Sequence, residues 1–209
     1  LRTPSGVSYM LENREITRRL YPEMIPREKV QPISDYPNLL YNKLKSLSNK
    51  KNPVVVMLTP GLYNSAYYEH TALARLMGVE LVEGSDLLVD NHYVFMKTAG
   101  GLKTVDVIYR RIDDDFLDPL NFKAESVLGV AGIMDSFRQG NVVLVNCPGA
   151  GIADDKAIYT YVPDMISYYL NEKPILNNIK TYKLTNKDEK EFVLKNIDKL
   201  VLKRTDGSG

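Results

Sequence analysis

Apolar and polar positions along the chain change period several times, and the sharpest signal is Val54-Val55-Val56-Met57-Leu58, an aliphatic run with the length and branching of a buried strand. Val54–Thr59 is therefore expected to be a strand, followed by the turn Pro60-Gly61-Leu62-Tyr63-Asn64. Ser65 is placed to N-cap a helix running through Met77, which Gly78 stops. Val79–Val82 predicts a second strand. Strand, loop, helix and strand over roughly thirty residues is the unit of an α/β sheet. Short strands are expected at Leu87–Val89 and Tyr93–Met96, a turn at Gly100-Gly101, and a strand at Val105–Tyr109. A helix near Ser126–Arg138 and a strand at Val142–Val145 follow. This order requires crossovers, so residues 53–147 are predicted to form one mainly parallel sheet flanked by helices.

The flanks have different textures. Residues 1–50 hold Pro4, Pro22, Pro26, Pro32 and Pro37, which restrict this part to short helices and loops. Tyr9–Leu20 and Tyr36–Leu47 are the expected helices. Leu40, Leu44 and Leu47 share one face of the second and need a surface to lie against, which the next domain would supply. After Pro148-Gly149-Ala150-Gly151, the carboxylates of Asp154 and Asp155 suit a helix start. That helix would run toward Leu170 with a kink or break at Pro163. Ile175–Leu184 is expected to be extended and Asn186–Lys199 an amphipathic helix, with Asn186 and Glu189 at capping-box spacing. Leu200–Arg204 would be the last strand. The organisation expected is a Pro-rich helical arm (1–50), an α/β domain (51–150) and a further unit (151–209).

Composition narrows the function classes. With 209 residues, 44% of them hydrophobic, the chain can bury a substantial core. A net charge of +1 supplies no field to recruit nucleic acid or an anionic membrane. No stretch approaches the roughly 20 apolar residues that cross a bilayer. The single cysteine, Cys147, excludes an internal disulfide, suits a reducing compartment, and is expected to be a small buried hydrophobe. His70 and His92 are too few for a metal site without carboxylates and read as structural. The expectation is a soluble, cytoplasmic protein binding neither nucleic acid nor membrane. The chain opens at Leu1-Arg2 without an initiator Met and closes on Asp206-Gly207-Ser208-Gly209 after a strand-like run, which reads as a chain cut from a longer one.

Three constellations could carry chemistry. Lys156 near a helix start and Lys203 at a strand end could address one phosphate chain, with the small residues Gly207, Ser208 and Gly209 letting backbone N–H groups close over it. The alternative is a pair of solvated surface lysines. Tyr109-Arg110-Arg111-Ile112-Asp113-Asp114-Asp115 ends a strand at the sheet edge where ligands bind. Arg110 or Arg111 could fork onto a carboxylate or phosphate, while Asp113 or Asp114 could take an amine or help hold Mg²⁺. A self-contained ion-pair cluster is the competing account. The loop Thr59–Ser65, with Tyr63, Asn64 and Ser65, opens a helix and could offer N–H groups to an anion. It lacks the G-x-G-x-x-G of a dinucleotide site, and Gly149-Ala150-Gly151 does not meet the P-loop pattern.

The Asp155-Lys156 helix start, the Lys203 strand and the small-residue loop resemble the first half of an ATP-grasp domain, with Arg204 replacing the usual proline. Arg2-Thr3-Pro4-Ser5-Gly6 resembles the segment that follows the last metal ligands of the same fold, so its end precedes its beginning. With "TPGLYNSAYYEH" and "VIYRRIDDDFLDPL", the whole chain resembles the circularly permuted ATP-grasp proteins, including glutathionylspermidine synthase-like bacterial relatives.

The resemblance implies a Rossmann-like (pre-ATP-grasp) parallel sheet at 51–150, the tail of the permuted catalytic half at 1–50, and the first part of a nucleotide-binding subdomain at 151–209. It implies Mg-ATP as cofactor and small-molecule carboxylate and amine substrates joined through an acyl-phosphate. ATP would meet Lys156, Lys203, Gly207, Ser208 and Gly209; substrate would meet Arg2, Ser5, Tyr63, Asn64, Ser65, Arg110, Arg111, Asp113 and Asp114. The metal-binding Glu and Asn would lie before Leu1, so the fragment alone is expected to be inactive. Two rival classes remain open here: a non-catalytic module binding a small anion at Tyr63–Ser65 and Arg110–Arg111, and an interaction domain docking a partner on exposed Leu40, Leu44 and Leu47.

Overall fold

The computed structural model describes residues 6–24 and 30–205. They divide into two compact units, one running to Pro148 and one beginning at Gly149. In the first, strands β1 (Val55–Leu58), β2 (Glu80–Val82), β6 (Val107–Arg110) and β7 (Val143–Val145) form a four-stranded parallel sheet in the order β2-β1-β6-β7. Val55–Leu58 and Val143–Val145 share this sheet, as their sequence order predicts.

The sheet is buried on both faces, which explains the unbroken aliphatic run. Val56, Leu58, Ile108 and Leu144 point to one face, among Leu117, Val130, Ile133 and Met134. Val55, Met57, Val107 and Tyr109 point to the other, against helices α2 (Tyr36–Lys45) and α3 (Tyr67–Met77) through Leu44, Leu73, Ala74 and Met77. Leu44 is fully buried and Leu40 packs beside it, so the Pro-rich arm places its leucine face on its own sheet; Leu47 remains exposed. Helix α1 (Val7–Leu20) precedes them.

A second sheet was not foreseen. Strands β3 (Leu87–Asp90), β4 (Tyr93–Thr98) and β5 (Gly101–Thr104) form a three-stranded antiparallel meander. Asn91 and His92, both with positive φ, make its first turn. Strand β5 is an exposed edge whose residues show no apolar alternation.

The helix expected at Ser126–Arg138 is reduced to Ile133–Arg138 (α5), with a single turn, α4 (Asp114–Leu117), before it. Asp118 is the cause. Fully buried, its carboxylate accepts the N–H groups of Leu120, Gly132 and Met134 and the Asn121 amide, which holds residues 118–132 as a loop. Gly129 fits there because a Cβ would lie 2.1 Å from the Phe116 carbonyl oxygen.

In the second unit, Asp155 caps α6 (Lys156–Tyr159), and the helix expected to reach Leu170 breaks before α7 (Val162–Leu170), which Pro163 opens. Asn186 caps α8 (Lys187–Lys195), but Glu189 does not complete a capping box; its carboxylate accepts the Lys183 N–H instead. Residues 175–184 are irregular, and Leu200–Arg204 forms no strand, since no described segment pairs with either. No helix among the described residues is long and apolar enough to cross a membrane.

Candidate functional site

The parallel sheet has one place where its winding reverses. From β1 the chain passes through α3 to β2 on one side; from β6 it passes through α5 to β7 on the other, and these helices lie on opposite faces. The carboxyl ends of β1 and β6 therefore flank the crevice where open α/β sheets bind ligands. Two of the expected segments leave the sheet here: Thr59–Ser65 after β1 and Arg111–Asp115 after β6.

The two arginines have different situations. Arg110, 4% exposed, closes the edge between β6 and β7: its guanidinium donates to the carbonyls of Asn146, Ile112 and Cys147 and pairs with Asp114. Asn146, in a left-handed conformation, returns its side-chain amide to the Arg110 carbonyl. Arg111 is also largely buried, yet only half its fork is used. Its Nη2 donates to Glu69 Oε1 at 2.9 Å, while Nη1 is shielded from solvent and has no hydrogen-bond partner among the described residues. Glu69 Oε2, the oxygen that a side-by-side pairing would turn toward Nη1, accepts the Gly6 N–H at 2.5 Å. Ser8 adds a bond to the Glu69 carbonyl.

Thr59 and His70 complete the cluster. The Thr59 hydroxyl accepts the Gly61 N–H and lies 2.8 Å from His70 Nδ1. Burial, then the nearby Arg111 charge, lowers the His70 pKa to about 4, so the ring is neutral at pH 7. The Tyr36 hydroxyl, half-buried beside the Arg111–Glu69 pair, is raised chiefly by burial.

The loop after β1 keeps much of its polarity for itself. Asn64 N–H donates to the Gly61 carbonyl, and Asn64 rather than Ser65 turns the chain into α3, its side chain accepting the Ala66 N–H. Helix α3 starts at Tyr67, and Ser65 makes no cap. Tyr63 projects fully into solvent, and Ser65 and Asp113 are exposed. Cys147 is exposed, contrary to its expected burial, because it lies past the end of β7 on the same edge. The sequence singled out Arg111 but not Glu69, which is buried by a charge partner 42 residues away; an acidic residue in the first turn of α3 was its only local signal.

In the second unit, Lys156 opens α6, and its N–H donates to the Thr205 carbonyl at 3.0 Å. This sets the helix start beside the segment following Lys203, whose side chain is exposed. Arg2, Ser5, Gly207, Ser208 and Gly209 lie outside the described residues. Among the described residues, no group of three His, Cys, Asp or Glu side chains could hold a metal ion.

The family model described as a circularly permuted ATPgrasp matches residues 1–209. An uncharacterized protein of Mycobacterium tuberculosis is 54% identical over the whole chain, which covers 38% of that relative. One from Synechocystis is 50% identical, with 44% of its length covered. A Frankia alni protein provisionally named glutamate–cysteine ligase 2-3 is 41% identical, with 25% covered. The chain thus spans less than half the length of these curated relatives.

Proposed function

Because this chain belongs to the circularly permuted ATP-grasp family, we propose that it contributes nucleotide and substrate contacts to an ATP-dependent ligase joining a carboxylate to an amine. A carboxylate oxygen attacks the γ-phosphorus of ATP and ADP leaves. The amine nitrogen then attacks the acyl carbon of the acyl-phosphate, phosphate departs, and the nitrogen loses a proton. The Frankia relatives named for glutamate–cysteine ligation support a peptide-bond-forming reaction of this class, as does the earlier likeness to glutathionylspermidine synthase-like proteins.

The residues divide by role. Lys156 and Lys203, with Gly207, Ser208 and Gly209, address the ATP phosphates; two cations and backbone N–H groups offset charge on the transferring phosphoryl group. Magnesium would neutralise phosphate charge, and the described residues offer it no ligand cluster. The Rossmann-like parallel sheet holds the substrate: Arg111 takes the carboxylate and Arg110 and Asp114 fix the edge, with Arg2, Ser5, Tyr63, Asn64, Ser65 and Asp113 as the further candidate substrate contacts. The observation that carries the substrate assignment is the half-paired Arg111 at the point where the sheet's winding reverses. A buried guanidinium N–H without an acceptor costs about 1–3 kcal/mol, which a ligand oxygen would recover.

Of the leucines that a docking-arm reading would use, Leu44 is buried and Leu40 packs beside it, which leaves Leu47 exposed. The test is ADP and phosphate release by the full-length protein supplied with Mg-ATP and panels of carboxylates and amines. Release requiring one member of each panel is expected; ATP hydrolysis indifferent to both, or none at all, would count against the ligase. The 209-residue chain alone is expected to release no ADP.

A further inference from the structure

Glu83 is absent from every constellation above, yet it stands at the same edge. The ends of three strands are level there: Leu58 of β1 pairs with Val82 of β2 on one side and with Arg110 of β6 on the other. Thr59 N–H donates to the Val82 carbonyl at 2.9 Å, and Arg111 N–H to the Leu58 carbonyl at 2.7 Å. Glu83 and Arg111 are thus the first residues past β2 and β6, separated by one strand, which places their backbones about 10 Å apart. The turn Thr59-Pro60-Gly61 lies between them.

Gly61 reports where the Glu83 side chain goes. With φ +96°, it would carry a Cβ 3.0 Å from Glu83 Oε1 and 3.2 Å from Oε2, so the carboxylate lies against the Gly61 α-carbon. It does not float there. The Glu83 side chain accepts the Asp86 N–H, while Asp86 accepts the Glu83 N–H at 2.8 Å. The result is a fixed carboxylate that remains exposed to solvent. Across the turn sits the buried guanidinium whose Nη1 lacks an acceptor among the described residues and which ligand binding must uncover.

We propose that Glu83 recognises the ammonium group of an amino-acid substrate whose carboxylate is held by Arg111. The inference rests on the reading that this edge takes the carboxylate substrate, and it narrows that substrate to a zwitterion. An anion acceptor and a cation acceptor one strand apart match a small molecule carrying both charges. A carboxylate lacking an amine would leave the Glu83 charge unanswered and gain only the Arg111 end.

Glu83 also caps its own turn, and the test separates the two roles. In Glu83→Gln the side-chain oxygen still accepts the Asp86 N–H, but the charge that attracts an ammonium is gone. Binding to the full-length protein would be measured calorimetrically with matched probes: L-glutamate against glutarate, and L-alanine against propionate. For at least one pair, the amino acid is expected to bind about tenfold more tightly than its partner, the worth of one charge-assisted hydrogen bond. Glu83→Gln should bring that preference within about threefold at an unchanged melting temperature, while Arg111→Ala weakens both members. Equal affinity within every pair, binding by none of the four, or a preference surviving in Glu83→Gln would overturn the proposal. Absent ADP release with the preference intact would refute the ligase and leave the amino-acid site standing.

Discussion

The stretch from Gly6 to Pro148 and the stretch from Gly149 to Thr205 draw on the same residue types and bury them very differently. Among the described residues, every buried apolar side chain but Val193 belongs to the first. There, β1 and β6 are covered on both faces and set their neighbours in place. In the second, α7 has no buried residue although Met165, Ile166, Tyr168, Tyr169 and Leu170 make it strongly apolar, and Ile175, Leu176 and Ile179 are almost fully exposed. Apolar content alone does not make a core. A parallel sheet does so because its crossovers oblige helices to lie on it.

Substitutions can break or sharpen this contrast. The largest effect is expected at Asp118→Ala in the first unit, which strands three backbone N–H donors in the interior. At about 1–3 kcal/mol for each unmet donor, a loss of about 4 kcal/mol should appear in urea unfolding. Leu73→Ala, opening a cavity between α3 and the sheet, should cost about 3 kcal/mol. A loss below about 1 kcal/mol at either position would mean that this unit is not the cooperative core described.

His70 supplies a pH signature confined to the same unit. Its pKa falls from 6.5 to about 4 in the folded chain, so the neutral ring is favoured there while the unfolded chain takes up the proton first. The associated stability is fully present above pH 6.5 and fades as pH falls toward 4, by up to about 3 kcal/mol. Unfolding free energies at pH 7 and pH 4.5 should differ less in His70→Gln; an identical difference would place the pH dependence elsewhere. The smallest effect is expected in the second unit, where Leu176→Ala on an exposed position should change stability by less than about 0.5 kcal/mol.

Legibility followed how local each cause is. The aliphatic run at Val54–Leu58, Gly78 ending α3 and Pro163 dividing the helices of the second unit act within a few residues, and the structure places them where the pattern does. Strand β5 escaped because its pairing with β4, not its own sequence, makes it a strand. The loop at 118–132 escaped because a helix-like pattern yields to one buried carboxylate whose partners lie up to 16 residues away. At the candidate site, Arg111 was visible as a charge ending a strand. Its half-use was not, since that depends on how Glu69 divides its oxygens between Arg111 and Gly6.

The central claim assigns carboxylate recognition to the sheet edge of the first unit and nucleotide phosphates to the second. Steady-state ADP release by the full-length protein, compared for Arg111→Ala and Lys156→Ala while carboxylate and ATP are varied in turn, addresses it directly. Arg111→Ala should raise the KM for the carboxylate by about tenfold or more and leave the KM for ATP within about twofold, and Lys156→Ala should do the reverse. Equal shifts of both constants in both variants, or wild-type constants in Arg111→Ala, would contradict it.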